Sequence, residues 1–275
     1  MRHCPLPCGL GTSVGFWDGS VAHGVAAVAA GACRVHGFEL RYLRVDRSGV
    51  VECQGALAAC WNVRFEDVPP VRRFPSYKGQ RNFPGLYFAA CMGRHVGFES
   101  WLERDQLMML DFSLRVRSFA AQPFWLLWES GGRARRHAPD FFVRLADGGG
   151  AVIDVRADNR IAPRDAEAFQ VTAAACESVG WGYRRVGALD PVLAANVRWL
   201  AGYRHPRCLR EEYRARLLEV FARPTPLLAG AEAAGDRIAV LPSLFHLMWT
   251  GILAADLASA RLRGSSVVSG NGVGR

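Results

Sequence analysis

Residues 137–158, HAPDFFVRLADGGGAVIDVRAD, constrain the fold more than any other stretch. Two apolar runs flank a glycine turn at Asp147–Gly150, the pattern of a β-hairpin. Asp140 lies seven residues before Asp147, and Asp154 lies six after Gly148. In a tight hairpin those positions fall close to opposite each other. Asp154 and Arg156 are two apart and share a strand face. The spacing therefore predicts two carboxylates and a guanidinium on one patch of a twisted sheet. Carboxylates at close quarters repel unless a cation joins them, and Mg²⁺ or Mn²⁺ suits such oxygen ligands. Each residue also has a plain structural reading: Asp140 after Pro139 as a turn residue, and Asp154 as the ion-pair partner of Arg156.

The flanking segments supply the rest of a compact α/β unit. Residues 98–111 (FESWLERDQLMMLD) carry Phe98, Leu102 and Met109 at helical spacing. Three strand-like runs follow, at Gln122–Trp128, Arg135–Leu145 and Ala151–Arg156. Residues 163–179 read as a helix that starts at Pro163 and stops at Gly180, and Trp181–Val186 reads as a strand. The expected order is α-β-β-β-α-β. Glu103 would add a third carboxylate from the first helix, but Ser100-x-x-Glu103 also has the spacing of a capping box, and pattern alone favours the cap.

Around this unit the reading is coarser. Phe38–Val45 and Val50–Cys53 are expected to form a hairpin, and residues 67–90 an extended basic, aromatic segment. That segment would either track a phosphate backbone or strap the next domain. Residues 190–203 and 207–222 read as helices separated by Pro206, and 241–260 as a helix broken at Thr250–Gly251. The expected domains are a disordered extension at 1–34, a hairpin and basic segment at 35–97, and a core at 98–188. A small, mostly helical module compatible with a winged helix would occupy 189–262, before a disordered tail at 263–275.

Composition narrows the partners. The net charge is +9, which fits a polyanionic partner through counterion release, although a solvated basic face would give the same number. No run of eighteen apolar residues occurs, so no membrane partner is expected. The apolar stretch 21–33 lacks the compact positive start of a signal peptide, and the eight cysteines include no CxxC pair. Both point to a reducing cytoplasm. His3, Cys4, Cys8, Cys33 and His36 match no common zinc spacing.

Taken together, SYKGQRNFPG (76–85), ESWLERDQLMMLDF (99–112), AQPF (121–124), HAPDFFVRLADG (137–148) and AVIDVRAD (151–158) resemble the nuclease domain of the TnsA family, heteromeric transposase endonuclease subunits of the PD-(D/E)-x-K superfamily. Residues 187–258 are similar to the C-terminal part of actinobacterial members. The resemblance implies a restriction-endonuclease-like core. It also implies Mg²⁺ or Mn²⁺ held by Glu103, Asp140 and Asp154, with Gln122 lining the site. It further implies cleavage of double-stranded DNA at the 5′ side of transposon ends, beside a DDE-type recombinase and an ATPase regulator. Arg156 stands where the family has lysine. Arginine stays protonated and can only stabilise charge or orient phosphate, which leaves open a subunit that binds without cutting. A restriction or repair nuclease is a further alternative. Lys78 is the only lysine among 34 basic residues, so compositional drift can account for Arg156, and Lys78 itself becomes a candidate to reach the scissile phosphate.

Overall fold

A computed structural model describes residues 37–74, 79 and 83–271. The expected extension at 1–34, the residues His3, Cys4, Cys8, Cys33 and His36, and Lys78 lie outside the described residues. The chain divides into two compact units with the boundary at Leu189/Asp190. Its class is mixed α/β, as expected.

In the first unit, β1 (Glu39–Asp46) and β2 (Gly49–Ala56) form the expected hairpin, β1 shifted by one residue and β2 extended at both ends. Asp46 closes its turn by accepting from Ser48 N–H at 2.8 Å. A short helix α1 (Leu57–Cys60) follows. At the end of the basic segment, β3 (Gly85–Ala89) pairs with β4 (Arg94–Phe98), just beyond it, in a second hairpin that the aromatic, proline-rich composition concealed. Phe74 packs over Gly97, where any Cβ would come within 2.1 Å of the ring. Helix α2 (Trp101–Phe112) starts at the Ser100 N-cap, three residues after the expected Phe98.

The three expected strands are five, and they belong to two sheets. The chain forms β5 (Val116–Ala121), β6 (Phe124–Ser130), β7 (Arg133–His137), β8 (Phe141–Leu145) and β9 (Gly150–Val155). Helix α3 (Pro163–Ser178) and β10 (Gly182–Val186) complete the unit close to their expected bounds. One sheet has the order β10-β9-β8-β5 and the other β2-β1-β6-β7. The run read as one strand, Arg135–Leu145, is therefore cut at Ala138–Asp140. Pro139 has no N–H to give a ladder, so a strand cannot continue through it inside a sheet. Gln122 likewise lies between β5 and β6, not inside a strand. Residues 116–121, polar at Arg117 and Ser118, gave no alternation to read, yet they supply the edge strand beside β8.

Phe65 is the hub of this unit. It is fully buried and meets Tyr42, Phe124, Phe142 and Trp181 edge-on, with ring centroids 4.9–5.7 Å apart. Those partners come from both sheets and from the start of β10, so one ring ties the two sheets together.

In the second unit, α4 (Pro191–Ala201) and α5 (Glu211–Val220) fall where the helical periodicity placed them, with Pro206 in a short 3₁₀ turn between. Asp190 caps α4 by accepting from Val192 and Leu193 N–H. Then come β11 (Thr225–Pro226), α6 (Leu227–Ala234), α7 (Arg237–Trp249), β12 (Leu253–Ala255) and β13 (Val267–Gly270), in a sheet ordered β11-β13-β12. The helix break at Thr250–Gly251 stands as read. The expectation of disorder from residue 263 does not hold for the described part of that segment: β13 pairs with both other strands, and Val268 is fully buried. Its Gly/Ser-rich surroundings hid a four-residue strand with a single core side chain.

Phe65→Ala is expected to cost about 3–5 kcal/mol, the range for truncating a buried aromatic. Thermal or urea unfolding of the variant checks this, and a cost under about 1 kcal/mol would show that the ring is not the hub.

Candidate active site

The strand ends beside Pro139 gather the sequence-predicted residues. Antiparallel pairing of β8 with β9 runs Arg144↔Gly150 to Phe141↔Ile153, so one further step sets Asp140 against Asp154. That is the opposition the hairpin spacing predicts. Asp140 Oδ2 accepts the backbone N–H of Val155 at 2.7 Å, and its carbonyl accepts from Gln122 N–H at 2.9 Å. Burial pushes the Asp140 carboxyl well above the usual range, and the charges of Asp154 and then Glu103 push it the same way. Glu103, Asp140 and Asp154 thus share one electrostatic field.

Glu103 does what a capping box requires, with a one-residue difference. Ser100 Oγ accepts from Glu103 N–H at 3.2 Å. In return, Glu103 Oε2 accepts from Glu99 N–H at 2.7 Å and Oε1 from Ser100 Oγ at 2.8 Å. Burial raises its carboxyl, and these two hydrogen bonds oppose the rise. The neighbouring Glu99 is held by a two-pronged pair from Arg72, at 2.9 and 2.7 Å.

Asp154 is almost fully buried. His137 Nε2 lies 2.8 Å from its Oδ1, and Tyr183 O–H donates to Oδ2 at 2.9 Å. Burial and the Asp154 charge raise the Tyr183 phenol. The simple alternative for Asp154, an ion pair with Arg156, is not what the structure has. Arg156 turns instead to Asp165 at the start of α3, with Nε 3.2 Å from Oδ2, and that guanidinium lowers the Asp165 carboxyl. His137 and Tyr183 were missed in the sequence because the strand containing His137 was read as continuous. Once Pro139 is taken as a break, alternation sets His137 on the β7 end that faces Asp154.

Gln122 is unusual twice over. It is the only non-glycine among the described residues with positive φ, +47°, a conformation that costs a side-chain-bearing residue energy. Its side-chain amide is buried with neither Oε1 nor Nε2 hydrogen-bonded. Gln106, one turn past Glu103, donates from Nε2 to Gly187 O at 2.8 Å and leaves Oε1 buried without a partner. Native proteins satisfy nearly all such atoms, so these two amides keep capacity for a further polar partner.

Among the described residues, no group of three or more His, Cys, Asp and Glu side chains is set to hold a metal ion as it stands. The donor set nevertheless fits a hard divalent cation chemically. Carboxylate oxygens with one hydrogen bond each retain lone pairs, and the mutual repulsion at Asp140 is relieved by positive charge.

A carboxylate raised by burial and like charge destabilises the folded state once it ionises. Its contribution is most favourable below the unfolded pKa and is lost as pH rises through the folded value. Asp140→Asn is therefore expected to raise the melting temperature at neutral pH without divalent cation, by roughly 2–4 °C. The gain should shrink towards pH 4, where burial keeps the Asp140 carboxyl protonated in the fold. A melting temperature lowered at pH 7 would contradict the repulsion.

Comparison with protein-family models finds no match for this chain, and comparison with curated proteins finds none either.

Proposed function

We propose that the chain is a metal-dependent DNA endonuclease subunit of a heteromeric transposase, as the TnsA resemblance implies. The observation that carries the reading is the convergence of Glu103, Asp140 and Asp154 on one field at a single end of the sheet. The order α2-β5-β8-β9-α3-β10, with β5, β8 and β9 antiparallel and β10 parallel to β9, supports a restriction-endonuclease-like core. In that reading β6 and β7 are an inserted hairpin that joins the second sheet.

Glu103, Asp140 and Asp154 would hold Mg²⁺ or Mn²⁺. Bound there, the cation supplies Lewis-acid polarisation of a phosphodiester and an acidified water. The chain's own residues set the conditions. Tyr183 and His137 fix Asp154 from both oxygens, so its carboxylate cannot rotate away. The Val155 N–H holds one oxygen of Asp140 and leaves the other free of protein hydrogen bonds among the described residues. Gln122, whose backbone N–H bonds the Asp140 carbonyl, carries an unsatisfied amide able to orient a water or a phosphate oxygen. The net charge of +9 favours the polyanion, here double-stranded DNA at transposon ends. A DDE-type recombinase and an ATPase regulator are the proposed partners, in a cytoplasmic setting; among the described residues no helix is long and apolar enough to cross a membrane.

The second unit fits an assembly role better than base reading. Its order α5-β11-α6-α7-β12-β13, with β13 central, supports a winged-helix reading. However, α7 is buried from Ser243 to Trp249, with Trp199 of α4 and Tyr203 just after it packed against Phe245, and only its first turn, at Arg237 and Ile238, is well exposed. That leaves a single turn, and no long face, for a major groove.

One observation favours a second reading, a subunit that binds and assembles without cutting: Arg156 is engaged by Asp165 and is no proton acceptor. The deciding experiment is Mg²⁺- and Mn²⁺-dependent nicking of a transposon-end duplex with the recombinase present. Wild type is expected to nick at the 5′ side and Asp140→Ala to lose at least about 100-fold, as for loss of a group that holds a catalytic cation. Binding and recruitment without nicking by wild type would leave the assembly reading. Lys78→Arg in the same assay tests the lone lysine: unchanged nicking removes it from the site.

A further inference from the structure

We propose that Arg133 and Arg135 form a phosphate-binding rail that leads a DNA backbone along strand β7 to the carboxylate cluster. The inference rests on the nuclease reading for the identity of the polymer, and it assigns the surface that grips it.

Strand β7 is the outer strand of its sheet, beyond β6, and its first four residues are exposed. Successive side chains of a strand alternate between faces, so Arg133, Arg135 and His137 share one face at steps of about 6.6–6.8 Å. The row does not end at random. His137 lies 2.8 Å from Asp154, whose charge is felt at Asp140. Two cations in register therefore point along one line to the proposed cutting site.

Among the described residues, neither is committed to a close ion pair. Arg72, Arg144, Arg156 and Arg185 each hold a carboxylate. Neither Arg133 nor Arg135 makes an ion pair among the described residues. Arg136 alternates to the opposite face, where its guanidinium stacks 4.5 Å over Trp125. Free guanidiniums spaced along a rigid strand are suited to successive backbone phosphates, which they can grip by forked hydrogen bonds. Arginine on an outer strand also deters pairing with another chain, and if that were its whole role, DNA binding would not depend on it.

The test is anisotropy of a labelled duplex of about 30 base pairs titrated with the full-length chain in EDTA, over about 50–200 mM KCl. The double variant Arg133→Ala/Arg135→Ala is expected to lower the slope of log affinity against log salt by about 2, one for each lost phosphate contact. Arg47→Ala removes an equally exposed charge from the β1–β2 turn, at the far side of the same sheet, and should leave the slope unchanged. The rail is overturned if the double variant keeps the wild-type slope, if Arg47→Ala lowers it as much, or if wild type does not bind the duplex. A lowered slope in a chain that never nicks keeps the rail and removes the nuclease; nicking with an unchanged slope does the reverse.

Discussion

A proline with no N–H divides residues 133–145 between two sheets. That single break sets the geometry of the candidate site. It ends β7 with His137 beside Asp154, and it sets Asp140, just before β8, opposite the same residue. Without the break, a continuous strand would keep all of these residues in one ladder. The crossing also needs a shared core between the sheets, which Phe65 supplies through edge contacts to rings from each. Strand break and aromatic hub are thus complementary: one separates the sheets and the other holds them at a fixed distance.

Charge is then confined where the sheets part. Burial desolvates the Asp140 carboxyl, the charges of Asp154 and Glu103 both act on it, and the guanidiniums of Arg72 and Arg156 are committed to Glu99 and Asp165. The fold has not neutralised the cluster from within. A protein that carries repulsion at one point, together with a positive-φ glutamine whose amide is unsatisfied, has local features that packing alone does not explain.

Much of this was legible in the sequence, and the failures have physical causes. The β8–β9 hairpin and the Asp140–Asp154 opposition follow from a strand period of two and a glycine turn, both local rules. Helix α3 was bounded by Pro163 and Gly180 for equally local reasons. The capping reading of Glu103 and its proximity to Asp140 are not exclusive, and the structure has both. What could not be read was sheet membership. Residues 124–137 have strand patterning, but nothing local says that they pair with β1 and not with β8. Short strands with one buried residue, such as β13, fall below what periodicity can detect. Arg156 shows a related limit at the site: sharing a face with Asp154 did not make the two partners, because the guanidinium pairs instead with Asp165, nine residues on at the start of α3.

The cap on α2 ties helix initiation to site chemistry. Both Glu103 oxygens are engaged at the helix start, one by the Glu99 N–H and one by the Ser100 hydroxyl. Any ligand that draws on this carboxylate competes with those donors. Occupancy of the site and fraying of the first turn of α2 are then two sides of one equilibrium, so hydrogen exchange at the Glu99 amide, just before the cap, would report on what the Glu103 carboxylate holds.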